Sequence, residues 1–182
     1  MTKTKTNAAR FLDSLGIGYE LRAYEVDPED LTAISVAKKI GMPAEQVFKT
    51  LLCVTSDREH VFAVVPGDAE LDFKKLAAAA GARKAEMVSL KDVQPLTGYV
   101  RGGVTVFGAK KDFPVYVDER VELFNVVSVS AGTRGVQVVL SPADYLRASK
   151  ATVADLTKQS SEHRAQSAEE GFGPAGYRER SR

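Results

Sequence analysis

The stretch Val47-Phe-Lys-Thr-Leu-Leu-Cys-Val-Thr-Ser-Asp-Arg-Glu-His-Val-Phe-Ala-Val-Val65 decides the architecture. Lys49–Thr55 and His60–Val65 are short runs rich in β-branched residues, and the connector Ser56-Asp-Arg-Glu59 is wholly polar. Two such runs joined by a short polar segment read as a β-hairpin. Period-two alternation places Lys49, Leu51 and Cys53 on one face of the first strand, with Phe48, Thr50, Leu52 and Val54 on the other. Both faces are largely apolar, so this strand requires cover on both sides.

Working outward, helical and strand patterns interleave. Asn7 to Leu15 sets Ala8, Phe11, Leu12 and Leu15 at helical spacing, with Gly16 as the stop. Tyr19 to Val26 alternates like a half-buried strand, and Thr32 to Ile40 reads as a short helix closed by Gly41. Asp72 to Gly81 is a helix with an acidic start and a glycine end. A second β-rich stretch covers Val104–Phe107, Val115–Val117, Val126–Ser130 and Val136–Leu140. Ser141-Pro-Ala-Asp144 then opens a last helix, serine as N-cap and proline at the first helical position. No internal repeat is present. The pattern predicts an α+β fold with two β-rich halves and a basic helix between them.

The 182 residues divide once, near residue 157. Thr157 to Arg182 contains no Val, Ile, Leu or Met, and it carries mixed charge and Gly171-Phe-Gly-Pro-Ala-Gly176. Such a segment cannot offset its ordering entropy by burial, so a globular domain over 1–156 and a disordered or loosely docked tail over 157–182 are expected.

Composition excludes several classes of function. With 44% hydrophobic residues the chain can build a sizeable core. One cysteine excludes an intrachain disulfide, and with only His60 and His163 beside Cys53 a closed Cys/His zinc site is not expected. No apolar run approaches the roughly 18–20 residues of a membrane span, and no secretory signal is read at the N-terminus. A cytoplasmic protein without metal or cofactor is expected. Net charge is +1, from 25 basic and 24 acidic residues, which does not suggest a DNA-coating protein. If the chain is an enzyme, a histidine general base is not expected.

Five features could carry chemistry, and each has a plainer alternative. Lys49 opens a strand covered on both faces; it either sits in water at the sheet's end, the commoner arrangement, or projects into a cavity. The pair Gly102-Gly103 permits close backbone approach to an anion or oxyanion, or simply makes a turn. It belongs to neither a P-loop nor a dinucleotide fingerprint. Ser128 and Ser130 share a face ahead of the turn Ala131–Gly135, which suggests a polar cavity or a solvated surface. Arg134 in that turn could meet a phosphate or merely be exposed. Tyr24 could stack inside a pocket or be an ordinary strand tyrosine. Basic pairs at Lys38-Lys39, Lys74-Lys75, Arg83-Lys84 and Lys110-Lys111 could follow a polyanion if they share one surface.

Taken in order, Tyr-Glu-x-Asp-Pro (24–28), Gln-Val-Phe-Lys-Thr-Leu-Leu (46–52), Asp-Phe-Lys-Lys-Leu-Ala (72–77), Thr-Gly-Tyr-Val-x-Gly-Gly (97–103), Gly-x-Lys-Lys-x-x-Pro (108–114) and Val-Ser-Ala-Gly-x-Arg-Gly (129–135) resemble the YbaK/EbsC family. These are free-standing relatives of the editing domain of bacterial prolyl-tRNA synthetases, and the resemblance runs from Ala8 to Leu156. It implies a mixed, barrel-like β arrangement flanked by helices. It also implies hydrolysis of mischarged aminoacyl-tRNA, with Cys-tRNA(Pro) the substrate of the YbaK branch and prolyl-tRNA synthetase a partner. By resemblance Lys49 holds the substrate's 3′ end near the scissile ester, and Gly102 and Gly103 contact the aminoacyl group. Tyr24, Ser130, Gly132 and Arg134 match the pocket and its basic turn.

The resemblance further implies that the substrate's cysteine thiol attacks its own ester carbonyl, so that the enzyme positions and desolvates without a nucleophile of its own. Two departures bear on amino-acid preference. Thr105-Val106 stands where the YbaK branch often has Ser-Pro, and Gln137 stands where an acidic residue often follows the Arg-Gly turn. The alternatives are an Ala-tRNA(Pro) deacylase, a non-hydrolytic aminoacyl-tRNA-binding module, and a regulatory partner of a synthetase or the cell envelope.

Overall fold

In the computed structural model, which describes residues 5–159, the hairpin forms as the sequence requires. Strands β2 (Phe48–Thr55) and β3 (His60–Pro66) pair antiparallel, in register from Phe48 opposite Pro66 to Val54 opposite His60. Arg58 takes a positive φ of 62° in the polar connector. Strand β4 (Ala85–Met87) adds antiparallel to the outer edge of β2. On the other side, β5 (Val115–Asp118) pairs parallel with β3, and β8 (Thr152–Ala154) parallel with β5. The order of this five-stranded sheet is β4-β2-β3-β5-β8.

A second, antiparallel sheet has the order β1-β7-β6, from β1 (Glu20–Ala23), β6 (Val127–Ser130) and β7 (Val136–Leu140). The two sheets touch through one parallel bridge, Val47 to Ser128. The α+β reading with a mixed sheet and flanking helices therefore holds, whereas the barrel-like arrangement resolves into two open sheets.

Both faces of the hairpin are covered, as its composition demands. Phe48, Leu52, Phe62 and Val64 face the larger core, which the second sheet supplies with Val127, Val129, Val138 and Leu140. Leu12 of α1 (Asn7–Ser14) and Tyr145 of α5 (Pro142–Ser149) complete it, with Phe107 set edge-on to the Tyr145 ring. The opposite face carries Cys53, Val61, Ala63 and Val65 against Leu76 of α3 (Phe73–Ala80) and Leu156. Burying one such large side chain contributes about 1.5–3 kcal/mol, so losing either layer would unfold the hairpin. Caps follow the sequence signals. Thr32, Asp72 and Ser141 accept from first-turn N–H groups of α2 (Ala33–Ile40), α3 and α5.

Four elements differ from the sequence expectation. Val104–Phe107 is not a strand. Its alternation is real, since Thr105 and Phe107 are buried, but the Phe107 carbonyl accepts from the Tyr99 hydroxyl at 2.6 Å instead of entering a ladder. The short helix α4 (Leu90–Thr97) is absent from the sequence expectation; Pro95 inside it is a helix-breaking residue, and only Val93 and Thr97 are buried. The three-residue strands β4 and β8 are too short to alternate visibly. Of the expected tail, residues 160–182 lie outside the described residues. Thr157 bridges Leu71, and the Lys158 N–H donates to the Glu70 carbonyl at 2.9 Å.

Candidate functional site

Past the Val47–Ser128 bridge no further ladder joins β2 to β6 among the described residues, and a cleft of about 640 Å³ opens there. The start of β2, the β6–β7 pair, the first turn of α2, α4 and the loop 101–104 all line it. Gly67, at the end of β3, makes this convergence possible. A Cβ there would lie 2.7 Å from the Val47 carbonyl oxygen and 2.8 Å from the Ala33 Cβ. Ile34, Met87 and Leu90 leave an exposed apolar rim.

Lys49 lines this cleft, the less common of its two sequence readings. It makes no hydrogen bond or ion pair among the described residues. Burial holds its ammonium below the ordinary lysine range, while the carboxylates of Glu70 and Asp68 act in the opposite direction. A partly desolvated, unpaired cation at the wall of a cleft attracts an anion or a carbonyl oxygen.

The glycine pair is a turn that also borders the cleft. The Gly103 N–H donates to the Val100 carbonyl at 2.9 Å, and Gly102 takes a φ of +87°. A third turn position with positive φ is what a type II turn requires, and glycine meets it without steric cost. Gly102 lines the cleft, whereas Gly103 packs behind it against the Thr133 backbone. The Gly103 N–H is therefore already spent, leaving the Gly102 N–H as the pair's contribution to a ligand.

The turn 131–135 supports that loop. Arg134 donates from Nε to the Arg101 carbonyl at 2.8 Å, so it clamps the loop while the rest of its guanidinium stays exposed. Gly132 takes a φ of +93° against the ring of Tyr99. Its N–H donates to the Ser130 Oγ at 3.1 Å, and Ser130 lines the cleft. Tyr24 stands apart. Its N–H donates to the Gly135 carbonyl at 2.9 Å, and its side chain packs on the cluster around Val36, Ala37, Ile40 and Val47. Lys49, Gly102 and Ser130 thus meet in one cleft, Gly103, Gly132 and Arg134 back it, and Tyr24 packs outside its lining.

Thr50, Gly67 and Arg101, which carry no site role in the sequence reading, line the cleft, as does Gln137, read there only as a departure bearing on amino-acid preference. For Gln137 the available signal was a polar side chain inside an apolar strand, directly opposite Ser130. The cations Lys49 and Arg101 line the cleft, and no Asp or Glu does so among the described residues. Cys53 is fully buried, and burial pushes its thiol up to about 12, which makes it a poor nucleophile. His60 lies against the Phe113 ring, with centroids 5.4 Å apart, and outside the cleft lining. His163 lies outside the described residues. No three His, Cys, Asp or Glu side chains among the described residues form a metal-ligand set. No helix is long and apolar enough to cross a membrane.

Residues 27–148 match the family model of the aminoacyl-tRNA editing domain. The chain is 40% identical over 156 residues to EbsC of Enterococcus faecalis, a proposed Cys-tRNA(Pro)/Cys-tRNA(Cys) deacylase, covering 86% of this chain and 95% of that protein. It is 30% identical over 117 residues to the multifunctional Ser/Thr-tRNA deacylase ProXp-y of Escherichia coli, covering 62% of this chain and 70% of that one. Among solved structures, a proposed trans-editing enzyme for prolyl-tRNA synthetase matches with a TM-score of 0.75 and 25% identity, over 86% of this chain and 100% of that one.

Proposed function

This chain belongs to the aminoacyl-tRNA editing domain family, and on that premise we propose that it is a free-standing deacylase that clears cysteine from mischarged Cys-tRNA(Pro). The observation that carries the reading is Lys49, unpaired among the described residues and partly desolvated in a cleft that also presents the Gly102 turn and Ser130. An aminoacyl ester on the 3′ end of tRNA joins a polyanion to a small acyl group. The cleft offers cations for the first and a largely apolar space for the second. Lys49 holds the terminal nucleotide, the Gly102 N–H faces the acyl group, and the apolar rim of Ile34, Met87 and Leu90 receives the terminal base.

The chemistry needs no protein nucleophile. The substrate thiol attacks the ester carbonyl, the 3′ oxygen leaves with the thiol proton, and water opens the resulting cyclic thioester to free cysteine. The enzyme contributes orientation and desolvation. Tyr24 steadies α2, and Gly103, Gly132 and Arg134 hold the loop 101–104 in place. The reaction takes place in the cytoplasm, with prolyl-tRNA synthetase delivering the mischarged tRNA.

The test is direct release of amino acid from tRNA(Pro) charged in turn with cysteine, alanine, serine and proline. Rapid release of cysteine, with proline retained, is expected. Release of alanine in preference to cysteine would replace the thiol route with a held water. Binding of all four without release would leave an aminoacyl-tRNA-binding module.

A further inference from the structure

Resting on the deacylase reading, we propose that Gln137 is a catalytic residue, whose carboxamide N–H groups, oriented by Ser128, donate to the ester carbonyl oxygen as it gains negative charge.

The geometry comes first. Gln137 lies on β7 opposite Ser130, is buried, and lines the cleft. The fully buried Ser128 hydroxyl donates to its Oε1 at 2.9 Å. That bond ties the oxygen to the interior and turns the nitrogen outward. The Nε2 group has no protein partner among the described residues. Nor is it sealed from solvent, since the Tyr145 hydroxyl is the buried side-chain polar atom without a partner. Its N–H groups are therefore free to donate to a ligand in the cleft that Gln137 lines.

The chemistry supplies the need. When a nucleophile adds to the ester carbonyl, the C=O electron pair moves onto oxygen; it returns as the 3′ oxygen leaves with the nucleophile's proton. Donors aimed at that oxygen stabilise the charge at its peak. With Gly103 spent in its turn, the glycine pair offers one N–H. Gln137 adds a side-chain donor in the same cleft. No carboxylate lines the cleft among the described residues to oppose the developing anion.

Three variants test this on cysteine release from Cys-tRNA(Pro), with urea unfolding as the check on folding. Gln137→Met keeps the length of the side chain and removes the donor; kcat should fall about 10²-fold with KM nearly unchanged. Gln137→Glu keeps the acceptor for Ser128 and presents a negative charge instead of a donor, so kcat should fall at least as far. Ser128→Ala releases the amide to rotate and should fall by an intermediate factor. Wild-type kcat in folded Gln137→Met would overturn the assignment. So would a gain of activity in Gln137→Glu, which would mean that the position receives the substrate's ammonium. If Gln137→Met fails to fold, the sign of the Gln137→Glu effect decides. A wild-type protein that releases nothing would instead overturn the deacylase reading itself.

Discussion

Replacing Gly132 by alanine tests how the loop 101–104 is held. Gly132 sits at φ +93°, where an L side chain is strained by about 1–2 kcal/mol. Its Cβ would also fall 2.9 Å from Cε1 and 3.3 Å from Cζ of Tyr99. That ring cannot simply swing away, because its hydroxyl donates to the Phe107 carbonyl at 2.6 Å and the residue is buried. Shifting the ring forfeits that hydrogen bond, worth about 1 kcal/mol, so Gly132→Ala should cost about 2–3 kcal/mol in all. Gly81 is the control. Its φ is +71° with nothing within 4 Å of the built Cβ, so Gly81→Ala should show the conformational part alone, about 1–2 kcal/mol. Urea unfolding of the two variants measures the difference, and deacylation below the transition measures the loop. Gly132→Ala should also lose activity while folded, because the turn packs behind Gly103 and carries Arg134, which clamps the loop 101–104. A Gly132→Ala protein no less stable than Gly81→Ala, with full activity, would refute the reasoning.

Other outcomes follow from the same structure. Cys53 should resist iodoacetamide in the native protein and react on unfolding, and Cys53→Ala should keep the wild-type deacylation rate; a loss of activity in the folded variant would implicate a protein thiol. Glu70→Gln removes a charge that favours the ammonium form of Lys49. Activity that needs this cation is lost as pH rises through its pKa, so the alkaline limb of kcat/KM should move to lower pH, and an unmoved limb would exclude Lys49 as the titrating group. The buried Asp118 carboxylate accepts from the Leu156 N–H at 3.0 Å and from the Arg120 N–H at 3.1 Å. Asp118→Ala should cost about 2–4 kcal/mol in urea unfolding.

The hairpin, the helix caps and the two-sided burial of β2 were legible because each is written in local periodicity and in residues with one strong preference. The cleft was not, because it depends on where two sheets stop pairing, and that is set by the single Val47–Ser128 bridge. Lys49 shows the limit clearly. Its alternation put it on the Cys53 face, and only the packing of Gly67 against Val47 and Ala33 shows that a cavity lies beside it. The segment 104–107 shows the reverse, since its alternation is correct and its strand is absent because a tyrosine hydroxyl takes the place of a neighbouring strand. Ordered motifs identified the family where periodicity could not, and three of the six, 46–52, 97–103 and 129–135, carry residues that line the cleft. In the sequence Gln137 is legible only as a departure from those motifs, and its contact with Ser128 depends on the register of β6 and β7.

The most direct test of the account is the initial rate of cysteine release from Cys-tRNA(Pro) by Lys49→Ala, compared with wild type at equal concentration and with matched urea midpoints. The account predicts a variant that folds and whose release falls to the uncatalysed background. A folded Lys49→Ala protein that releases cysteine at the wild-type rate would contradict it.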